Sequence, residues 1–245
     1  MIRLKVCTKG WIKSILFNVF SKIGLWRLFT YKAKVPKILM YHRLTDSNII
    51  PGISSAKFET HLQHLCTYYQ VVSVEEIISD IENNNVNANK VALTFDDGYA
   101  DNAECALPVL QKYNIPATVY VSTAFLNGGR MWNDSVREAM RIAAGDTFDL
   151  REVDLEAYPL STQSDRLNSA ESIIRSIKHR DPKERSALVA GIEARVGALP
   201  SELMLVDEQL RRLSAEGVTI GAHTVSHPIL ASITDRQAED ELSNS

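Results

Sequence analysis

The stretch Val91-Ala92-Leu93-Thr94-Phe95 constrains the fold more than any other part of the chain, because it is apolar at nearly every position and stops abruptly at Asp96-Asp97-Gly98. A strand with apolar side chains on both faces is buried on both, which is the habit of a parallel sheet covered by helices. Shorter runs of the same kind recur at Ile38-Leu39-Met40-Tyr41, Val71-Val72, residues 117–121 and Val218-Thr219-Ile220-Gly221. Helical periodicity separates them: residues 55–69 carry Phe58, Leu62 and Leu65 on one face, a second helix starts at Val74 and frays into Asn83-Asn84-Asn85, and a third covers residues 103–113. Strands alternating with helices predict an α/β fold. An open sheet and a barrel both satisfy the pattern.

Between the fourth and fifth strands, residues 127–206 carry no strand signal and read as helices, with Ile173, Ile174 and Ile177, then Leu188, Ile192 and Val196, as apolar faces. So long a βα connection is read as a helical insertion, a lid or wall beside the site. The cysteines, Cys7, Cys66 and Cys105, are odd in number and unrelated in spacing, which argues against a disulfide scaffold.

Charge is distributed unevenly. Ten of the 27 basic residues fall within residues 1–45, which hold no acidic side chain, although the whole chain is at -3. Within that leader Ile12, Ile15, Leu16, Val19, Ile23 and Trp26 form an amphipathic stripe interrupted by Lys13, Lys22 and Arg27. The run is too broken to span a bilayer and has no clean cleavage site. Residues 1–36 are therefore read as a basic amphipathic segment making peripheral contact with an anionic membrane, at the cytoplasmic membrane surface or in the cell envelope. Packing of the same stripe on protein is the competing reading. No nucleic-acid partner is expected.

The reactive side chains collect at strand ends. Asp96, Asp97 and Gly98 follow the third strand, His223 and His227 follow the fifth, and Tyr41 and His42 end the first. In parallel α/β folds the C-terminal strand edge is where sites are built. His223 and His227 gain weight over an ordinary pair such as His61 and His64 because they follow a strand and the small residue Gly221. Two imidazoles and one carboxylate make a catalytic-zinc ligand set, and the neighbouring carboxylate is free to take a proton. Metal-assisted hydrolysis follows from those ligands, without identifying the substrate.

At these residues the sequence resembles the polysaccharide deacetylases with a NodB homology domain, carbohydrate esterase family 4. Thr94-Phe95-Asp96-Asp97-Gly98-Tyr99 is similar to the family's first motif and His223-Thr224-Val225-Ser226-His227-Pro228 to its second. The flanks agree at Leu39-Met40-Tyr41-His42-Arg43, Phe58-Glu59-Thr60-His61-Leu62 and Ile115-Pro116-Ala117-Thr118-Val119-Tyr120-Val121. The resemblance implies a deformed (β/α) barrel over residues 37–245 and removal of N-acetyl, or less often O-acetyl, groups from an acetylated polysaccharide. It implies that Asp97, His223 and His227 hold Zn2+ or another divalent ion such as Co2+. Asp96 would be the base, the backbone N–H of Tyr99 the oxyanion donor, and Tyr41, His42 and Trp132 substrate contacts.

After His227 the family's later elements, an arginine and aromatic groove wall, an aspartate-tryptophan pair and a leucine-histidine pair, are not found in residues 228–245. The expectation is a barrel incomplete at its C-terminus, either a shortened deacetylase or a metal- or glycan-binding chain with impaired turnover. Such an open barrel would expose apolar surface on the first strand and self-associate.

Overall fold

The computed structural model describes residues 35–46 and 50–245; the amphipathic stripe of residues 12–26 lies outside them. Among the described residues no helix is long and apolar enough to cross a membrane.

Five parallel strands form the main sheet: β1 (Lys37–Tyr41), β2 (Gln70–Val71), β3 (Lys90–Phe95), β4 (Thr118–Val121) and β7 (Thr219–Ala222). All six residues of β3 are buried. β1 pairs along its whole length, from Lys37↔Val91 to Tyr41↔Phe95, so β2 and β4 share the other edge, at Val71↔Val91 and Phe95↔Val119. β7 then joins β4 from Thr118↔Thr219 to Val121↔Ala222. The α/β class and all five strands are as the sequence predicts.

Helix α1 (Ser55–Tyr68) forms where expected because Ser54 caps it, accepting from the Lys57 N–H, and because Phe58, Leu62 and Leu65 fall on one buried face. It packs with α3 (Leu107–Tyr113) over Val91, Leu93 and Phe95, and α7 (Asp207–Ala215) adds Leu213 to that core. Helix α2 (Val74–Glu82) covers the opposite side of Ala92 through Val74 and Ile77. One turn of π-helix, Asn102–Ala106, precedes α3. Among the described residues no strand pairs with the outer edges of β1 or β7, and the sheet does not close. Ile38 and Met40 on β1 are 53% and 61% exposed, the uncovered apolar surface expected of an open barrel.

The insertion is not wholly helical. Besides α4 (Trp132–Ile142), α5 (Gln163–Ile177) and α6 (Pro182–Val196), it contains an antiparallel pair, β5 (Thr147–Asp149) and β6 (Ala157–Pro159). Each strand has a single inward residue, Phe148 or Tyr158, and the two pair across the ladder. Three residues are too few for alternation to register as a sequence signal. The insertion buries its own cluster, with Val136, Met140, Leu150, Ile173 and Ile192 at its centre, and its Leu205 joins the core of the sheet.

Candidate functional site

The sheet ladder continues past the strand ends and fixes the backbone of each candidate residue. Asp96 N–H donates to Tyr41 O at 2.9 Å, Ser122 N–H to Asp97 O at 3.2 Å, and His223 N–H to Val121 O at 2.8 Å. Asp97 sits at φ 78°, a left-handed conformation that aspartate tolerates better than most residues. Gly98 follows at φ 87°, and a Cβ there would stand 3.0 to 3.3 Å from Val121, so only glycine lets the turn lie against β4. At Gly221 a Cβ would meet the ring of its β4 partner Tyr120 at 2.6 Å, so the small residue leaves that ring its place.

These turns bring Asp97, His223 and His227 together, with one potential ligand atom from each within 4.8 Å of the others. Asp97 Oδ1 lies 3.6 Å from His223 Nε2 and 3.4 Å from His227 Nε2. It is buried and accepts no hydrogen bond among the described residues. A buried anionic oxygen without a donor is expensive, and a cation between it and the two imidazoles relieves that cost. The donor set fits a three-ligand divalent site. Burial lowers the pKa of His227, favouring the neutral imidazole that ligates metals, while the Asp97 carboxylate pulls the other way.

Asp96 is half-buried beside the cluster, and burial pushes its carboxyl above the usual carboxylate range, with His223 and His42 opposing. His42 is exposed near it. Tyr41 turns away: its ring stacks on Phe95, meets Phe58 edge-on, and its hydroxyl lies 3.3 Å from His61 Nδ1. Trp132, half-buried, packs against the insertion's apolar core with the Arg185 guanidinium 4.9 Å from its ring centroid.

The backbone N–H of Tyr99 has no backbone acceptor among the described residues. Its buried hydroxyl donates to Asp134 Oδ2 on α4 at 2.9 Å, and Arg43 stacks on its ring at 4.7 Å while pairing with Asp101 at 3.0 Å. Burial raises the pKa of both Tyr99 and Asp134, while the Tyr99 hydrogen bond and the nearby Arg137 and Arg43 oppose the rise at Asp134. Asp134, Arg43 and Asp101 carry no local sequence signal, because the Tyr99–Asp134 and Arg43–Asp101 contacts span 35 and 58 residues. Asp134→Ala should lower unfolding free energy by about 1–3 kcal/mol, because it leaves the Tyr99 hydroxyl buried and unpaired. Asp134→Asn keeps an acceptor and should cost less, as denaturant titration of both variants would measure.

Comparison with known proteins gives the family and the fold. The family model described as Polysaccharide deacetylase matches residues 83–245. YxkH of Bacillus subtilis (strain 168), a protein of polysaccharide deacetylase type, is 37% identical over 91 residues, covering 36% of this chain and 32% of its own. The Streptococcus pyogenes deacetylase PplD, solved in complex with acetate, has a TM-score of 0.50 at 20% identity, over 86% of this chain and 65% of that one. The polysaccharide deacetylase BC0361 of Bacillus cereus has a TM-score of 0.48 at 20% identity, over 85% and 44%. The chain therefore spans about a third of the curated relative and under two thirds of the first solved one.

Proposed function

The chain belongs to the polysaccharide deacetylase family, and from that premise we propose that it hydrolyses N-acetyl, or less often O-acetyl, groups on a polysaccharide with a divalent ion held by Asp97, His223 and His227. One observation carries the reading: the buried Asp97 Oδ1 without a donor, facing two imidazole nitrogens, with the Asp96 carboxylate beside it. Zinc or cobalt held there supplies Lewis acidity and lowers the pKa of water towards about 7. Asp96 takes the proton of the attacking water, and the burial that raises its pKa brings it closer to the range in which a base works at neutral pH. The backbone N–H of Tyr99 donates to the acetyl oxygen as negative charge develops on it. Exposed His42 and half-buried Tyr41, at the end of β1 next to Asp96, are read as substrate contacts.

The test is acetate release from N-acetylglucosamine oligomers. A chelator should abolish it and added zinc or cobalt restore it; release that survives complete chelation would remove the metal from the reaction. Zinc binding without acetate release would instead favour a metal- or glycan-binding chain with impaired turnover.

A further inference from the structure

The metal loop is unusual in its backbone. Thr224 and His227 both sit at left-handed φ, 64° and 52°, although neither is glycine. Such residues persist only where the surroundings over-determine them. One side of the loop is held by the turn after β4, where Thr123 N–H donates to Thr224 O and Ala124 N–H to Val225 O. Internally, His227 N–H donates to Thr224 Oγ1 at 3.1 Å.

The other side is held from helix α8 (Asp235–Ser243), through one residue. The Glu241 carboxylate takes two hydrogen bonds from Ser226: the backbone N–H donates to Oε2 at 2.7 Å and the hydroxyl to Oε1. Ser226 immediately precedes the ligand His227. No residue of α8 is buried, so the helix contributes nothing to the hydrophobic core. A bidentate carboxylate on adjacent backbone and side-chain donors fixes orientation as well as distance.

We infer that Glu241 is a positioning residue for the metal centre: by clamping Ser226 it holds His227 in the backbone conformation that aims its Nε2 at Asp97. The inference rests on the metal reading above. It assigns α8 the task of preorganising the most exposed ligand, His227 being 43% exposed at its side chain against 32% for His223.

The experiment is zinc affinity by chelator competition on the full chain, with the denaturation midpoint of the metal-free protein measured alongside. Glu241→Ala should weaken zinc binding by about 10- to 100-fold, the range found when partners of metal ligands are removed. Ser226→Ala, which keeps the N–H bond, should weaken it less, and Glu239→Gln, exposed on the same helix, should leave it unchanged. The visible spectrum of the cobalt-loaded protein should change in Glu241→Ala and stay unchanged in Glu239→Gln. Affinity for Glu241→Ala within about twofold of the parent, at an unchanged midpoint, overturns the proposal. Should Glu241→Ala fail to fold, Ser226→Ala at an exposed position decides, and parent-like zinc affinity there overturns it equally. A parent chain that binds no zinc would sink the metal reading and this inference together, an outcome distinct from equal binding by parent and variant.

Discussion

Replacing Asp97 with asparagine is expected to reduce acetate release to background and to weaken zinc binding by on the order of a thousandfold. Structural zinc sites reach about 10–16 kcal/mol, and removing the charged member of a three-ligand set forfeits a substantial part of such a sum. Asparagine suits this test better than alanine because the position sits at φ 78°, which asparagine tolerates and alanine does not. The fold should survive, because Asp97 Oδ1 takes no hydrogen bond that the substitution would break. The metal-free variant should gain stability, since a buried anionic oxygen without a donor is exchanged for a neutral amide; zinc titration and denaturant unfolding on one preparation would separate the two effects. Parent-like acetate release from the Asn variant would remove Asp97 from the ligand set.

That cluster was legible because each of its residues follows a strand whose own pattern is plain. Val91 to Phe95 is buried on both faces, so Asp96 and Asp97 can only be at its C-terminal edge. The β4–β7 pairing then brings His223 to the same edge, beyond Ala222. The sequence could not show partners that meet through tertiary structure alone. Asp134 reaches Tyr99 across 35 residues and Glu241 reaches Ser226 across 15, and neither spacing corresponds to a local motif. The contact between Trp132 and Arg185, on two different helices, is hidden from the sequence in the same way. The β5–β6 pair carries no sequence signal because each strand has one buried side chain between two exposed neighbours.

The second large effect belongs to Asp96 and should differ in kind. Asp96→Asn is expected to lower kcat by about 10²- to 10⁴-fold, the usual worth of a positioned general base, while leaving zinc affinity and KM close to those of the parent. The separation follows from geometry: Asp97 Oδ1 faces both imidazole nitrogens, whereas the Asp96 backbone is tied to Tyr41 O in the ladder and its side chain is absent from the ligand cluster. An amide keeps the size of the carboxylate but cannot accept a proton, so substrate and metal should bind while turnover stalls. Loss of zinc in Asp96→Asn would mean that the two carboxylates share the metal. A kcat equal to the parent's would mean that the base lies elsewhere, with exposed His42, on the neighbouring strand end, the next residue to replace.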